Sequence, residues 1–483
     1  MKKSAKLSNR AIPYSQAFRE FIPLDWAPES SAPVAALPAS AYTPARRQSL
    51  QDLFPLDRLV IPAGGYKVRS NDTDYRFRPH AAFAHLSGLG EDWEPDAALI
   101  IEDGQATLFF HPRAPRTNEE FYSSSQYGEM WVGARPSLAD MSARTGLEVR
   151  DIATLSTRLA SKLVHGEGVT RILPGVDSKL EAIVVALRGK ADGVDQELER
   201  AASELRLIKD EFEIAEMDRA CAATLVGFEA VIADIPQAVR VGRGERWVEG
   251  IFGLHARHLG NAIGYDTIAA AGEHACTLHW IRNDGDLRAG DLLLIDAGVE
   301  VETLYTADVT RTLPISGRYS PAQRQVYEAV LAAQQAGIDA AKPGADFLDV
   351  HNAAIRVLSE YLYDWGILPV SVEETLDLTN GGQFRRWMVH GTSHHLGIDV
   401  HDCAQARNKC YRKAKLRPGM IITVEPGLYF KSTDLLVPEE LRGIGVRIED
   451  DILITETGCR NLTAAFPREA DAVEAWIAEV QAR

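Results

Sequence analysis

The sequence predicts a mixed α/β (α+β) chain in two parts: an N-terminal α/β domain, then a C-terminal domain with internal pseudo-twofold symmetry. Three observations carry this. At 483 residues the chain is too long for one ordinary compact core, so two domains are expected. From Leu53 to about Val176, short apolar strands alternate with helical stretches, the pattern of an α/β unit. In the second half one strand motif occurs twice: Leu287–Gly298 reads LRAGDLLLIDAG and Leu416–Gly427 reads LRPGMIITVEPG.

In chain order, residues 1–50 are rich in Pro, Ala and Ser, lack sustained periodicity and read as an extended N-terminal arm. Residues 51–200 form the α/β domain, with strands expected at Ala97–Ile101, Ala106–Phe110 and Arg171–Leu173 and a helix at Ile152–Leu163. The charged stretch Glu197–Asp210 reads as a helical bridge to the second domain, residues 201–483. There Ile214, Met217, Cys221, Leu225, Phe228 and Ile232 recur at spacings of three and four, one face of a helix. Ser320-Pro321 and Asp346 mark helix starts, and the apolar runs Leu292–Ile295 and Ile421–Val424 are short enough for strands.

Composition narrows the function. A formal net charge of −16 argues against nucleic acid, whose binders need a basic stripe. There is no apolar run of the length a bilayer needs, so no membrane partner is expected. The first residues carry two lysines without an apolar segment behind them, which makes a cytoplasmic location the expectation. The five cysteines are widely spaced with no CxxC pair, so reduced and mostly buried thiols are expected.

Within the repeat, Leu, Arg and both Gly match, and an acid falls at the same place: Asp296 in one copy and Glu425 in the other. A duplicated unit of this kind would bring the two acids together near a pseudo-axis. Three further segments place acids or histidines among apolar neighbours: Asp308 in TADVTRT, the run HGTSHHLGIDVHD with His390, His394, His395, His401 and Asp402, and Glu449 in GVRIEDDI. Asp308 follows Asp296 by twelve residues, the distance of a returning hairpin strand. An ionised carboxylate in an apolar strand is costly unless its charge is compensated, and four of them beside a histidine cluster call for cations. Asp296, Asp308, His394, Glu425 and Glu449 make an oxygen-rich set suited to Mn²⁺, Co²⁺ or Zn²⁺. Five ligands are too many for one open catalytic ion but suit two, roughly 3.5–4 Å apart, which can share a bridging hydroxide and polarise a carbonyl.

At these residues the sequence resembles the aminopeptidase P and prolidase family of metallopeptidases, whose catalytic domain has the "pita-bread" fold. The matching segments are IDAG, TADVTRT, HGTSHHLGIDVHD, TVEPGLYF and RGIGVRIEDDI; RSNDTDYRFRPHAAFAHLSG and EMWVGARP are similar to the family's non-catalytic N-terminal domain. The resemblance implies that Asp296 serves one ion, that His394 and Glu425 serve the other, and that Asp308 and Glu449 bridge them. It makes Glu425 the proton shuttle between the bridging hydroxide and the leaving nitrogen. It assigns His279 (in TLHW), His390 and His401 to the substrate, and Arg447, with Tyr429, to supporting the acids. The implied reaction is hydrolysis of the N-terminal Xaa-Pro bond of short peptides by a homodimer or homotetramer, with two divalent ions, Mn²⁺ first. Prolidase, which uses the same ligands on dipeptides, is the nearest alternative. A non-catalytic peptide-binding relative is disfavoured because all five ligand positions are filled. Three features depart from the family pattern: the interval from Asp296 to Asp308 is one residue longer, His274 stands where a small or amide residue is expected, and the N-terminal arm is longer.

Overall fold

The structure is a computed structural model and describes residues 13–28, 32–71 and 73–483. The stretch read as an extended arm therefore lies partly outside the described residues, and what is described is not extended throughout. Gln16–Phe21 is a short helix capped by Ser15, and α1 (Thr43–Asp52) carries Leu50 into the N-terminal core. Two arginines hide this helix in the sequence, because Arg46 and Arg47 are themselves buried, bonded to the carbonyls of His85 and Leu86.

The N-terminal sheet comprises β1 (Arg58–Pro62), β2 (Ala98–Glu102), β3 (Gln105–Phe110), β4 (Glu148–Asp151) and β5 (Thr170–Ile172), in the order β4-β3-β2-β1-β5. The β1–β2 and β2–β3 pairs are antiparallel, whereas β3–β4 and β1–β5 are parallel. Every residue of β1 and β2 is buried, because both faces are covered. Leu59, Ile61, Leu99 and Ile101 face one core with Leu50, while Val60, Ala98 and Ile100 face the other with Leu180 and Val184 of α2 (Ser178–Arg188). The helix expected over Ile152–Leu163 is shorter, a single 3₁₀ turn and then Leu155–Ala160. The bridging helix is also a correction. α3 (Val194–Leu205) ends before the crossing and buries Leu198, Ala201 and Ala202 against the N-terminal core, leaving Arg206–Lys209 as a non-helical link.

Asp210 then caps α4 (Glu211–Val241) through a reciprocal box with Glu213. By length and composition alone this helix could cross a bilayer, contrary to the expectation from sequence. Here its apolar face is packed instead: Phe228 and Ile232 share a core with Phe252 of α5 (Gly244–Leu259), and Met217 and Cys221 share another.

The second domain is built from two similar halves. β6 (Ile268–Ala271), β7 (Leu292–Ala297) and β8 (Val309–Pro314) form one three-stranded sheet with β7 central. The helices α6 (Pro321–Ala340), capped by Ser320, and α7 (Phe347–Asp364), capped by Asp346, follow as the sequence predicts. β9 (Ile421–Val424), β12 (Asp450–Ile454) and β13 (Cys459–Asn461) form the second sheet, beside the hairpin-like pair β10 (Gly427–Tyr429) and β11 (Gly445–Arg447). β7 and β9 are the strands of the repeat, and its conserved positions have physical reasons. Leu287 and Leu416 are buried, and Gly290 (φ 97°) and Gly419 (φ 86°) make left-handed turns into the strands. At Gly298 a Cβ would sit 1.6 Å from the Ala307 carbonyl oxygen, so the position two residues after the acid must be glycine.

Each repeat strand has an antiparallel partner that brings a second acid to the same end. Ala297 pairs with Val309, beside Asp296 and Asp308, and Val424 pairs with Asp450, beside Glu425 and Glu449. The halves are joined at this end by the Glu449 N–H to the Thr310 carbonyl (3.1 Å) and by the fully buried Arg311–Asp450 ion pair (2.7 Å).

Candidate metal centre

Nine of the residues singled out from the sequence line one cavity of about 490 Å³ at the meeting of the two sheets: Asp296, Asp308, His394, Glu425, Glu449, His279, His390, His401 and Arg447; Tyr429, His395 and Asp402 do not line it. Asp296 is on β7, Asp308 just ahead of β8, Glu425 just beyond β9, and Glu449 between β11 and β12. His394 comes from an irregular segment laid along β9: the Thr423 N–H donates to the His394 carbonyl (2.9 Å) and the Glu425 N–H to the Thr392 carbonyl (3.0 Å). Backbone pairing thus sets the imidazole beside the carboxylates.

Asp308, His394 and Glu449 offer ligand atoms within 4.8 Å of one another. His394 Nε2 lies 3.3 Å from Asp308 Oδ2 and 3.6 Å from Glu425 Oε1, so this imidazole faces both acids. Asp296 is joined to Asp308 by the Tyr265 hydroxyl, 2.7 Å from Asp296 Oδ1 and also bonded to Asp308 Oδ1. On the far side Arg447 Nη2 donates to Asp296 Oδ2 (2.6 Å), and its Nε donates to Thr310 Oγ1, which donates in turn to Glu449 Oε2 (2.6 Å).

The charges are unbalanced within the protein itself. Burial, with the neighbouring carboxylates adding to it, pushes the Glu425 carboxyl up to about 7, and raises Asp296 and, by more, Glu449. Burial works against a charged His394, but its bond to Asp308 and the charge of Glu425 overcome that and raise it to about 9. Four carboxylates face one guanidinium and one imidazole, a donor set whose mutual repulsion two divalent cations would relieve. Oxygen ligands with a single imidazole fit hard or borderline ions.

The three remaining histidines ring the cavity. Burial, and then the Arg447 charge, bring His390 down to about 3, so it is neutral. Its Nδ1 donates to the Gly391 carbonyl (2.7 Å), which leaves Nε2 to accept from the Tyr429 hydroxyl (2.7 Å). Tyr429 in turn accepts from Arg447 Nη1 (3.2 Å). The His401 ring meets the His394 ring edge-on, centroids 4.5 Å apart, and His279 stands exposed at the rim. Tyr265 was not singled out from the sequence. It sits in a loop before β6, with no periodicity or repeat to mark it, and only the fold reveals that it links the two acids of the first half. All five cysteines are free thiols, three of them buried.

Comparison with known proteins agrees with this architecture. Residues 215–456 match the model of metallopeptidase family M24, and residues 43–170 match that of the aminopeptidase P N-terminal domain. Xaa-Pro aminopeptidase 1 of Streptomyces coelicolor is 50% identical over 461 residues, covering 94% of this chain and 91% of that protein. The Xaa-Pro aminopeptidase of Escherichia coli is 34% identical over 89% of this chain and 96% of its own length. The structure of aminopeptidase P from E. coli with the inhibitor Pro-Leu superposes with a TM-score of 0.78 at 31% identity, covering 92% of this chain and 99% of that one. The chain belongs to metallopeptidase family M24, with the N-terminal domain of aminopeptidase P ahead of its metallopeptidase domain.

Proposed function

We propose that the chain is a cytoplasmic Xaa-Pro aminopeptidase that holds two divalent cations and removes the first residue from short peptides with proline in second position. The observation that carries this is the convergence of Asp296, Asp308, His394, Glu425 and Glu449 on one cavity ringed by His279, His390 and His401. The names of the curated relatives, matched over nine-tenths of the chain, support the substrate class. In this reading Asp296 would hold one ion and His394 and Glu425 the other, with Asp308 and Glu449 available to both. Mn²⁺ suits the oxygen-rich set best, with Co²⁺ or Zn²⁺ as substitutes. When bound, the pair of cations activates a water and polarises the scissile carbonyl.

The protein's own groups do the rest. Glu425 takes the proton of the attacking water and passes it to the proline nitrogen as the bond breaks. The histidines at the rim orient the peptide and stabilise charge on its carbonyl oxygen. Arg447 holds Asp296 and Tyr429 in place. Proline's nitrogen carries no hydrogen, so a peptidase that grips that N–H is disabled; a site that grips the carbonyl is not. The homodimer or homotetramer implied by the family resemblance belongs to the same proposal, without nucleic-acid or membrane partners. Rates on matched Xaa-Pro-Yaa tripeptides and Xaa-Pro dipeptides test the substrate class. Preference for the tripeptide is expected, and strict preference for the dipeptide would reassign the protein as a prolidase.

A further inference from the structure

The loop from Gly272 to Gly285 carries His279 and Ile281, which line the mouth of the cavity and are both exposed. Its regular structure is a single 3₁₀ turn, Gly272–Cys276. The support comes from beneath. Glu245, in the first turn of α5, is fully buried and accepts four hydrogen bonds. The backbone N–H groups of Ala271 (2.8 Å) and Gly285 (2.6 Å) clamp the two ends of the loop, and His274 Nδ1 (2.7 Å) and Trp280 Nε1 (2.8 Å) draw its middle inward. A buried carboxylate persists only where its lone pairs are filled, and here all are.

The fit around this carboxylate is close. The His274 ring stacks on Trp280 with centroids 3.9 Å apart. A Cβ on Gly285 would lie 2.7 Å from His274 Cε1 and 2.9 Å from Glu245 Cδ, so no larger residue fits at the loop's closing point. One turn along α5, Glu249 accepts from Asn283 Nδ2 (3.0 Å), and Asn283 Oδ1 accepts from the Ala269 N–H (3.0 Å), a second anchor at the same end. His274, the residue that departs from the family pattern, thus has a definite place: it is one of the four donors and covers the Trp280 ring.

We propose that Glu245 is a positioning residue of the active site, which through Trp280 fixes the loop so that the flanking His279 and Ile281 face the peptide. Its effect on catalysis rests on the aminopeptidase reading; the anchoring of the loop does not. Trp280→Phe removes the N–H but keeps the ring, and Glu245→Gln removes the charge at nearly constant volume. In the metal-loaded full-length enzyme, Trp280→Phe is expected to lower kcat/KM on Xaa-Pro-Yaa on the order of tenfold. The same change in a His279→Ala background is expected to cost nothing further, because Trp280 acts through His279. Fully additive losses, or an unaffected Trp280→Phe enzyme, would overturn the proposal. Hydrogen exchange gives a readout independent of activity. The Ala271 and Gly285 amides should be protected in the wild type, and at least one of them should lose protection in Glu245→Gln, whose single carbonyl oxygen replaces the two that accept from them, while amides in the body of α5 keep theirs; protection unchanged at both contradicts the anchoring. A wild-type protein that cleaves no Xaa-Pro peptide would refute the functional reading alone, and the exchange result would still decide the role of Glu245.

Discussion

Glu425 has two proposed duties, holding a cation and carrying a proton, and its surroundings suit both. Burial pushes its carboxyl up to about 7, so a bound cation competes with a proton for the same oxygens. Replacing it with Gln keeps the shape and removes the basic oxygen. Glu425→Gln is expected to lower kcat by about 10²–10⁴-fold with the fold intact by circular dichroism; a metal-loaded variant with near wild-type turnover would remove Glu425 from the proton path. Tyr265 is the complementary case, touching two proposed ligands without being one. Tyr265→Phe should weaken cation binding by about 10–100-fold, read by competition with a chelating dye. The acids and His394 were legible in the sequence because charge in apolar strands is anomalous wherever it occurs. Tyr265, Thr310 and Glu245 were not, since each gains its meaning from a partner far along the chain.

At the level of elements, the duplicated strand did the most to place the site. Its leucines, glycines and acids each answer to burial, a left-handed turn or a close approach, which is why the match survived in both copies. Helices opening at Ser320 and Asp346 were equally readable from their capping residues. The link between domains was not. A charged run suggested a continuous helix, whereas Arg206 and Lys209 turn inward and grip the fully buried Asp402, at 3.1 and 3.3 Å, beside the His401 segment. Burial opposes that carboxylate's charge, but the two cations hold it well below the usual carboxylate range. A depressed folded pKa adds stability that is fully present above the ordinary value of about 4 and is lost as pH falls below it. Asp402→Asn should therefore lower stability at pH 7 and flatten the acid limb of the stability curve, as followed by urea unfolding from pH 7 down to pH 2. A curve parallel to that of the wild type would show that this pair does not govern the link.

For the whole molecule, the N-terminal sheet and the second domain each have a core of their own, a further core joins Ala81 and Ala84 to Met217 and Leu304 between them, and the halves of the second domain close on one cavity. The N-terminal domain also reaches the site region: Arg78 binds Glu300 (2.7 Å) and, on the segment that leads to His401, Asp399 (3.1 Å) and the Ile398 carbonyl (2.7 Å). In the proposed function, two cations at this junction would make the chain an active Xaa-Pro aminopeptidase, and that dependence is open to direct test. It is tested most directly by following a Xaa-Pro-Yaa tripeptide before chelation, after it, and after titrating back Mn²⁺ or Co²⁺. Release of the free first residue and the Pro-Yaa dipeptide, loss of that activity on chelation, and recovery that saturates at two ions per chain are expected. Cleavage undiminished by exhaustive chelation, or none in the fully metal-loaded protein, would contradict it.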